Sequence, residues 1–196
     1  SVFFGAWRFY AQPPVDAFNP WLGYYPGAIY DEVIVVDDRL LLSRLEDLYA
    51  AVLVVSWVAA SRLRVPLALA TLGAWLLAGA HDVRRDTDYV RAALGGYRVT
   101  PHLRIYHPEA WSSERVDRIA TDLEFDYAEL TSFFGFATTR PVQVYLYPDA
   151  DTKKRLMGAR NVRIAKPWQW AFHVQGSSLG DAVRLHEMAH VFSAEI

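Results

Sequence analysis

The sequence predicts an α+β fold. A mixed sheet with a functional helix is expected over residues 97–196, preceded by an apolar helical hairpin over residues 39–96. Three observations predict it. Two uncharged runs of 14 and 16 residues stand close together in the first half of the chain. The second half alternates strand-like and helical patterns in the order β-α-β-α-β-β-α. The last of those helices carries His186-Glu-Met-Ala-His190.

Composition narrows the possibilities. The chain has 196 residues, 53% hydrophobic and 21% charged, with a net charge of −2. That length fits one domain, or one domain with an appendage. The pI near 6.3 argues against a nucleic-acid partner, whose binding proteins usually carry a basic face. The absence of Cys excludes a disulfide scaffold, a thiolate zinc ribbon, an iron–sulfur protein and a thiol enzyme. The 17 Arg against 3 Lys match the usage of a GC-rich bacterial genome. The chain begins at Ser1 without a signal-peptide pattern and stops at Ile196 inside a helical pattern, so it reads as an internal piece of a longer protein.

Residues 1–38 are an aromatic, Pro- and Gly-rich loop region, with turn chemistry at Asn19-Pro20 and Pro26-Gly27. Trp7, Trp21, Tyr24, Tyr25 and Tyr30 suit either a membrane interface, where amphipathic rings are favoured, or a loop packed on a neighbouring domain.

Residues 39–96 hold the hydrophobic excess. Leu48–Ser61 and Val65–Ala80 are uncharged and flank Arg62-Leu63-Arg64. A spanning helix needs about 20 apolar residues. The first run can be lengthened back to Leu40, and the second from Leu63 if Arg64 snorkels. Both are apolar all round, which places a helix deep in protein or in lipid. A chain this small has little protein to bury two such helices. A transmembrane hairpin is therefore the expectation, with a buried hairpin as the competing reading. The Arg62–Arg64 turn is then cytoplasmic by the positive-inside rule, which leaves the domain over 97–196 outside the cytoplasm of a bacterial inner membrane.

Residues 97–196 read as an α+β domain. Tyr97–Tyr106 has strand composition broken by Pro101. Ser112 caps a helix running through Val116, Leu123, Tyr127 and Phe134, and Gly135 ends it. Val142–Tyr147 alternates as a half-buried strand. Asp149–Met157 is a short helix closed by Gly158, and Lys153-Lys154-Arg155 reads as its solvated face. Val162–Ala165 and Trp170–Gln175 form a strand pair. Ser178-Leu-Gly-Asp181 is a capping box for the last helix.

That helix carries the chemistry. His186 and His190 are one turn apart, so both imidazoles project from one face and can hold two corners of a tetrahedral Zn2+ site. Glu187 leans toward the open coordination position, where it can accept the proton of a zinc-activated water. Leu185, Met188, Ala189 and Phe192 can pack the other sides. A chance match in this composition is roughly one in a hundred. The competing readings are two ordinary surface His with a Glu, and a relic site that no longer cleaves anything.

A catalytic zinc needs a third protein ligand. The longer pattern His-Glu-x-x-His-x-x-Gly-x-x-His is not met, since Ser193 and Ile196 stand at its last two positions. Glu195 lies ~140° around the helix from His190 and ~180° from His186. His173, His102 and His107 are more often ordinary strand or loop histidines. The third ligand is expected beyond Ile196.

Residues 97–196 resemble the N-terminal part of a gluzincin-type zinc metallopeptidase domain of the peptidase MA-like kind. The matching features are Thr100-Pro-His-Leu-Arg-Ile-Tyr106 before a long helix, the strand Val142–Tyr147, and His186-Glu-Met-Ala-His-Val-Phe192. The resemblance covers the second half of the chain, and its specific part is the zinc motif. It implies a zincin-like fold, His186 and His190 on zinc, Glu187 as base, and a downstream Glu as third ligand. It also implies that the strand before the zinc helix, Trp170–Gln175, is an edge strand. Trp170, Phe172 and Val174 would then meet an extended peptide. The function so read is a membrane-attached zinc metallopeptidase acting on a peptide or protein substrate. The alternative is a non-catalytic membrane or transporter-associated protein whose zincin-like domain binds a partner.

Overall fold

A computed structural model describes residues 10–12, 17–19, 23–25, 38–59, 62–80, 85–176 and 180–196. The fold is α+β, with a mixed five-stranded sheet and, among the described residues, six α-helices. A two-stranded pair, β1 (Ala17–Asn19) with β2 (Gly23–Tyr25), stands in the zone that reads as loop. Trp7, Trp21 and Tyr30 lie outside the described residues.

Helices α1 (Asp38–Val58) and α2 (Arg64–Ala80) coincide with the two apolar runs and pack against one another. Arg64 ties the connection by donating to the Trp57 carbonyl at 3.0 Å, with its guanidinium 5.2 Å from the Trp57 ring. Val58, Val65 and Leu69 are exposed. Among the described residues no helix is long and apolar enough to cross a membrane. Helix α1 carries Asp38, Arg44, Glu46 and Asp47 in its first half, and the 17 residues of α2 extend only about 26 Å, against a hydrocarbon core of about 30 Å.

The α/β domain takes in more sequence than residues 97–196. Helix α3 (Thr87–Leu94) is capped by Asp86, whose side chain accepts from Tyr89 N–H at 2.8 Å, and it buries Val90 and Leu94 with the sheet. Residues 10–12 dock on the same body. The Gln12 side-chain carbonyl accepts from Thr87 N–H at 2.9 Å, and its backbone carbonyl accepts from Lys166 Nζ at 2.6 Å.

The sheet order is β3-β4-β5-β7-β6. Pro101 divides the first strand pattern into β3 (Gly95–Val99) and β4 (Leu103–Pro108), paired antiparallel. Strands β4, β5 (Val142–Tyr147) and β7 (Ala171–Gln175) are parallel, and β6 (Ile164–Lys166) closes the far edge antiparallel to β7. Helix α4 (Ser113–Phe134) begins at Ser112, whose hydroxyl accepts from Arg115 N–H at 3.3 Å. It ends at Gly135, whose φ of 78° suits a residue without a Cβ. Helix α4 and the last helix, α6 (Asp181–Ser193), cover one face over Leu103, Ile105, Val144, Leu146, Phe172 and Val174. Helices α3 and α5 (Ala150–Met157) cover the other over Tyr106, Tyr145, Tyr147 and Ala171.

Because helices lie on both faces, β5 is not half-buried: Tyr145 and Tyr147 are as enclosed as Val144 and Leu146. On the second face one register row is a stack of rings crossing four strands. Tyr97, Tyr106, Tyr145 and His173 have centroids 5.0, 4.9 and 4.5 Å apart in turn. Lys153 is not on a solvated face: it is wholly buried on α5, and its ammonium donates to the Val162 carbonyl.

Candidate metal centre

Helix α6 begins later than the capping-box pattern implies. Gly180, extended at φ −73° and ψ 150°, is the N-cap and supplies no side-chain bond. Ser178 lies outside the described residues. From there the period sorts the side chains. Met188, Val191 and Phe192 are fully buried in the core, and Leu185 and Ala189 pack against it. His186 and His190 are exposed on another side of the helix.

Their two Nε2 atoms stand 3.1 Å apart, and the rings meet at 88° with centroids 4.7 Å apart. Two nitrogens on one tetrahedral zinc at 2.0–2.1 Å would be about 3.3 Å apart. The separation is that of an N–H···N hydrogen bond between the rings and is close to the spacing of two zinc ligands. Among the described residues no third His, Cys, Asp or Glu joins them in a ligand group.

Glu187 is 5% exposed. Burial pushes its carboxyl above the usual range, partly opposed by the nearby charges of His186, His190, Arg163 and Lys153. A carboxylate beside two imidazoles is placed to take up and pass on a proton.

The other histidines and Glu195 are engaged elsewhere. His173 alternates along β7 with Phe172 and Val174, which face α6, so its ring lies on the opposite side of the sheet from His186. There its Nδ1 is 2.9 Å from the Tyr147 hydroxyl and its Nε2 has no hydrogen-bond partner. Burial, then the charges of Lys166 and Lys153, hold the His173 pKa well below its ordinary value, so the ring is neutral. His102 stacks on Tyr127 at 4.4 Å and meets Glu124 through Nδ1 at 2.7 Å. His107 Nδ1 meets the Pro108 carbonyl at 3.0 Å. Glu195, past the end of α6, accepts from Thr139 N–H at 2.9 Å and from the Trp170 indole N–H.

The expected peptide-binding strand is corrected. Strand β7 is hydrogen-bonded on both sides, to β5 and β6, and Phe172 and Val174 are completely buried in the core. Neither can meet an extended peptide. Trp170 precedes β7 in the left-handed region, at φ 49°. Its indole is bound by Glu195, and the Arg140 guanidinium lies 4.5 Å from its ring. It ties the end of α6 to the sheet. The edge beside the site helix is β6.

Two residues near the site escape a sequence reading. Arg184, two positions before His186, donates through Nε to Asp126 on α4 at 2.8 Å with both side chains buried. The pairing joins positions 58 apart, so no local pattern announces it. Arg163 stands exposed just before β6, with its charge acting on Glu187. The signal that could have found it is its place next to a strand-composition run ahead of the motif helix. No known protein family, curated protein or solved structure matches this chain.

Proposed function

We propose that the chain is part of a membrane-attached zinc metallopeptidase with a zincin-like domain. The observation that carries this reading is the 3.1 Å convergence of His186 and His190 Nε2 on one helix face, with the buried Glu187 carboxyl beside them. His186 and His190 would hold Zn2+, with a third ligand from outside the described residues. When bound, zinc polarises a carbonyl oxygen and lowers the pKa of water toward about 7. Glu187 accepts the proton of the attacking water and returns it to the leaving amine. Met188, Val191 and Phe192 fix the helix so that the three polar groups keep their spacing. The substrate backbone would add to the sheet along β6, which is an edge strand of the five-stranded sheet.

Membrane attachment is supported by the exposed apolar surface of α1 and α2, with Val54, Trp57, Val58, Leu69 and Leu76 all more than half exposed. Two measurements test the whole reading. In a longer protein that includes the third ligand, metal analysis after zinc loading and dialysis should find zinc in the wild type and lose it in His186→Ala. Flotation with anionic phospholipid vesicles should carry the chain upward, and L69E/L76E should leave it at the bottom of the gradient. Equal zinc in wild type and His186→Ala would remove the metal centre. Flotation unaffected by the double change would remove the hairpin as the anchor.

A further inference from the structure

We infer that Arg163 selects substrates bearing a carboxylate close to the scissile bond. This rests on the peptidase reading of His186, Glu187 and His190 and adds a substrate class to it. Three observations lead there.

Arg163 immediately precedes β6, which among the described residues is the last strand of the sheet, and α6 packs against that strand. Strand β6 runs antiparallel to β7, with Ile164 level with His173. Ala165 packs on the face that α6 covers, and Ile164 on the other. The guanidinium is near enough for its charge to act on the Glu187 carboxyl, so it stands beside the chemistry.

The neighbouring cations are already engaged. Arg160 pairs with Asp151 at 2.8 Å, Lys153 donates to the Val162 carbonyl, and Lys166 donates to the Gln12 carbonyl. Arg163 is exposed and, among the described residues, pairs with no carboxylate. Glu187 is buried and held for proton transfer, so it does not serve as that partner.

A guanidinium presents a planar fork that matches a carboxylate with two parallel N–H bonds. A peptide added to β6 would bring a residue past Arg163 as it passes Glu187. The recognised group is a carboxylate, supplied either by an Asp or Glu side chain or by the peptide's own C-terminus.

The test uses the zinc-loaded full chain and peptides of one sequence in four forms: Asp or Asn at the varied position, each with a free or amidated C-terminus. Binding is measured by fluorescence anisotropy on Glu187→Gln, which cannot turn the peptides over, and hydrolysis on the wild type. Carboxylate forms should bind about ten- to a hundredfold more tightly than the neutral form. Adding Arg163→Gln should bring that ratio to one, and Arg163→Glu should turn it in favour of a Lys-bearing peptide. Ratios within one variant are blind to any change at Glu187, which every peptide meets alike. A gain from the side chain assigns an endopeptidase, and a gain confined to the free C-terminus assigns a carboxypeptidase.

Equal binding of all four peptides, or a preference surviving Arg163→Gln, overturns the inference. In that case hydrolysis by the wild type keeps the peptidase reading. Selective binding without hydrolysis keeps the role of Arg163 and removes the peptidase. No binding by any peptide overturns both.

Discussion

Arg184 donates to Asp126 at 2.8 Å across the interface between α6 and α4, with both side chains almost fully buried. Asp122 stands farther off, 3.9 Å from the same guanidinium. This pair orients the helix that carries both imidazoles. Breaking a buried ion pair from one side typically costs about 3–5 kcal/mol, because a charge stays behind in a poorly solvated place. Asp126→Asn should therefore lower unfolding stability by that amount in urea titrations. R184M/D126L should recover most of it, since two apolar side chains leave no charge behind. A single variant as stable as wild type would show that the pair does not hold the helix.

Glu187→Gln should keep zinc and lose hydrolysis by about 10²–10⁴-fold, the usual worth of general acid–base catalysis. Gln keeps the shape of the side chain and cannot take a proton. His186→Ala and His190→Ala should lose both zinc and hydrolysis. Metal content by mass spectrometry and turnover of a fluorogenic peptide check this. Zinc lost from Glu187→Gln would make Glu187 a ligand or a structural support.

Phe172→Ala should act on stability. The ring is completely buried between β5 and β6 under α6. Truncating such a ring costs about 3–5 kcal/mol through lost transfer energy and the cavity left behind. Denaturant unfolding measures it. A raised KM at unchanged stability would restore Phe172 to the substrate.

Acid should loosen the contact between α4 and the β3–β4 turn. Burial alone would raise the Glu124 pKa, but hydrogen bonds from the Thr100 hydroxyl and from the His102 ring and backbone N–H outweigh it, and the net shift is downward. A carboxyl depressed in the folded state adds stability that is complete above its ordinary value of 4.5 and is lost as pH falls through the lower folded value. Glu124 is partly exposed, so the contribution is at most about 1 kcal/mol. Thermal midpoints between about pH 6 and pH 3 should fall less steeply for Glu124→Gln than for wild type.

The elements legible in the sequence are those written in local signals. Helix α4 lies between Ser112 and Gly135, α5 between Asp149 and Gly158, and β5 occupies Val142–Tyr147, each where its cap or alternation places it. The facing of His186 and His190 follows from their spacing alone. What stayed hidden depends on residues far apart in the chain. The burial of Tyr145 and Tyr147 needs α3 and α5 on the second face. The enclosure of Phe172 needs β6 to pair outside β7. Lys153 reads as solvated because nothing near it in sequence shows the Val162 carbonyl that receives its ammonium. His173 looks like a ligand candidate until the pleat sends it to the far side of the sheet.

The contact between Gln12 and Thr87 brings together two points 75 residues apart in sequence. Between them in sequence lie α1 and α2, so the stretch that carries the apolar helices starts and finishes at this contact. Its two ends already meet, so a short flexible bridge from residue 12 to residue 87 asks for no rearrangement of the sheet. Loop-closure entropy changes by only about 0.6 kcal/mol for each doubling of length. The stretch that carries the apolar helices and the body that carries His186 and His190 can accordingly be lengthened, shortened or exchanged almost independently.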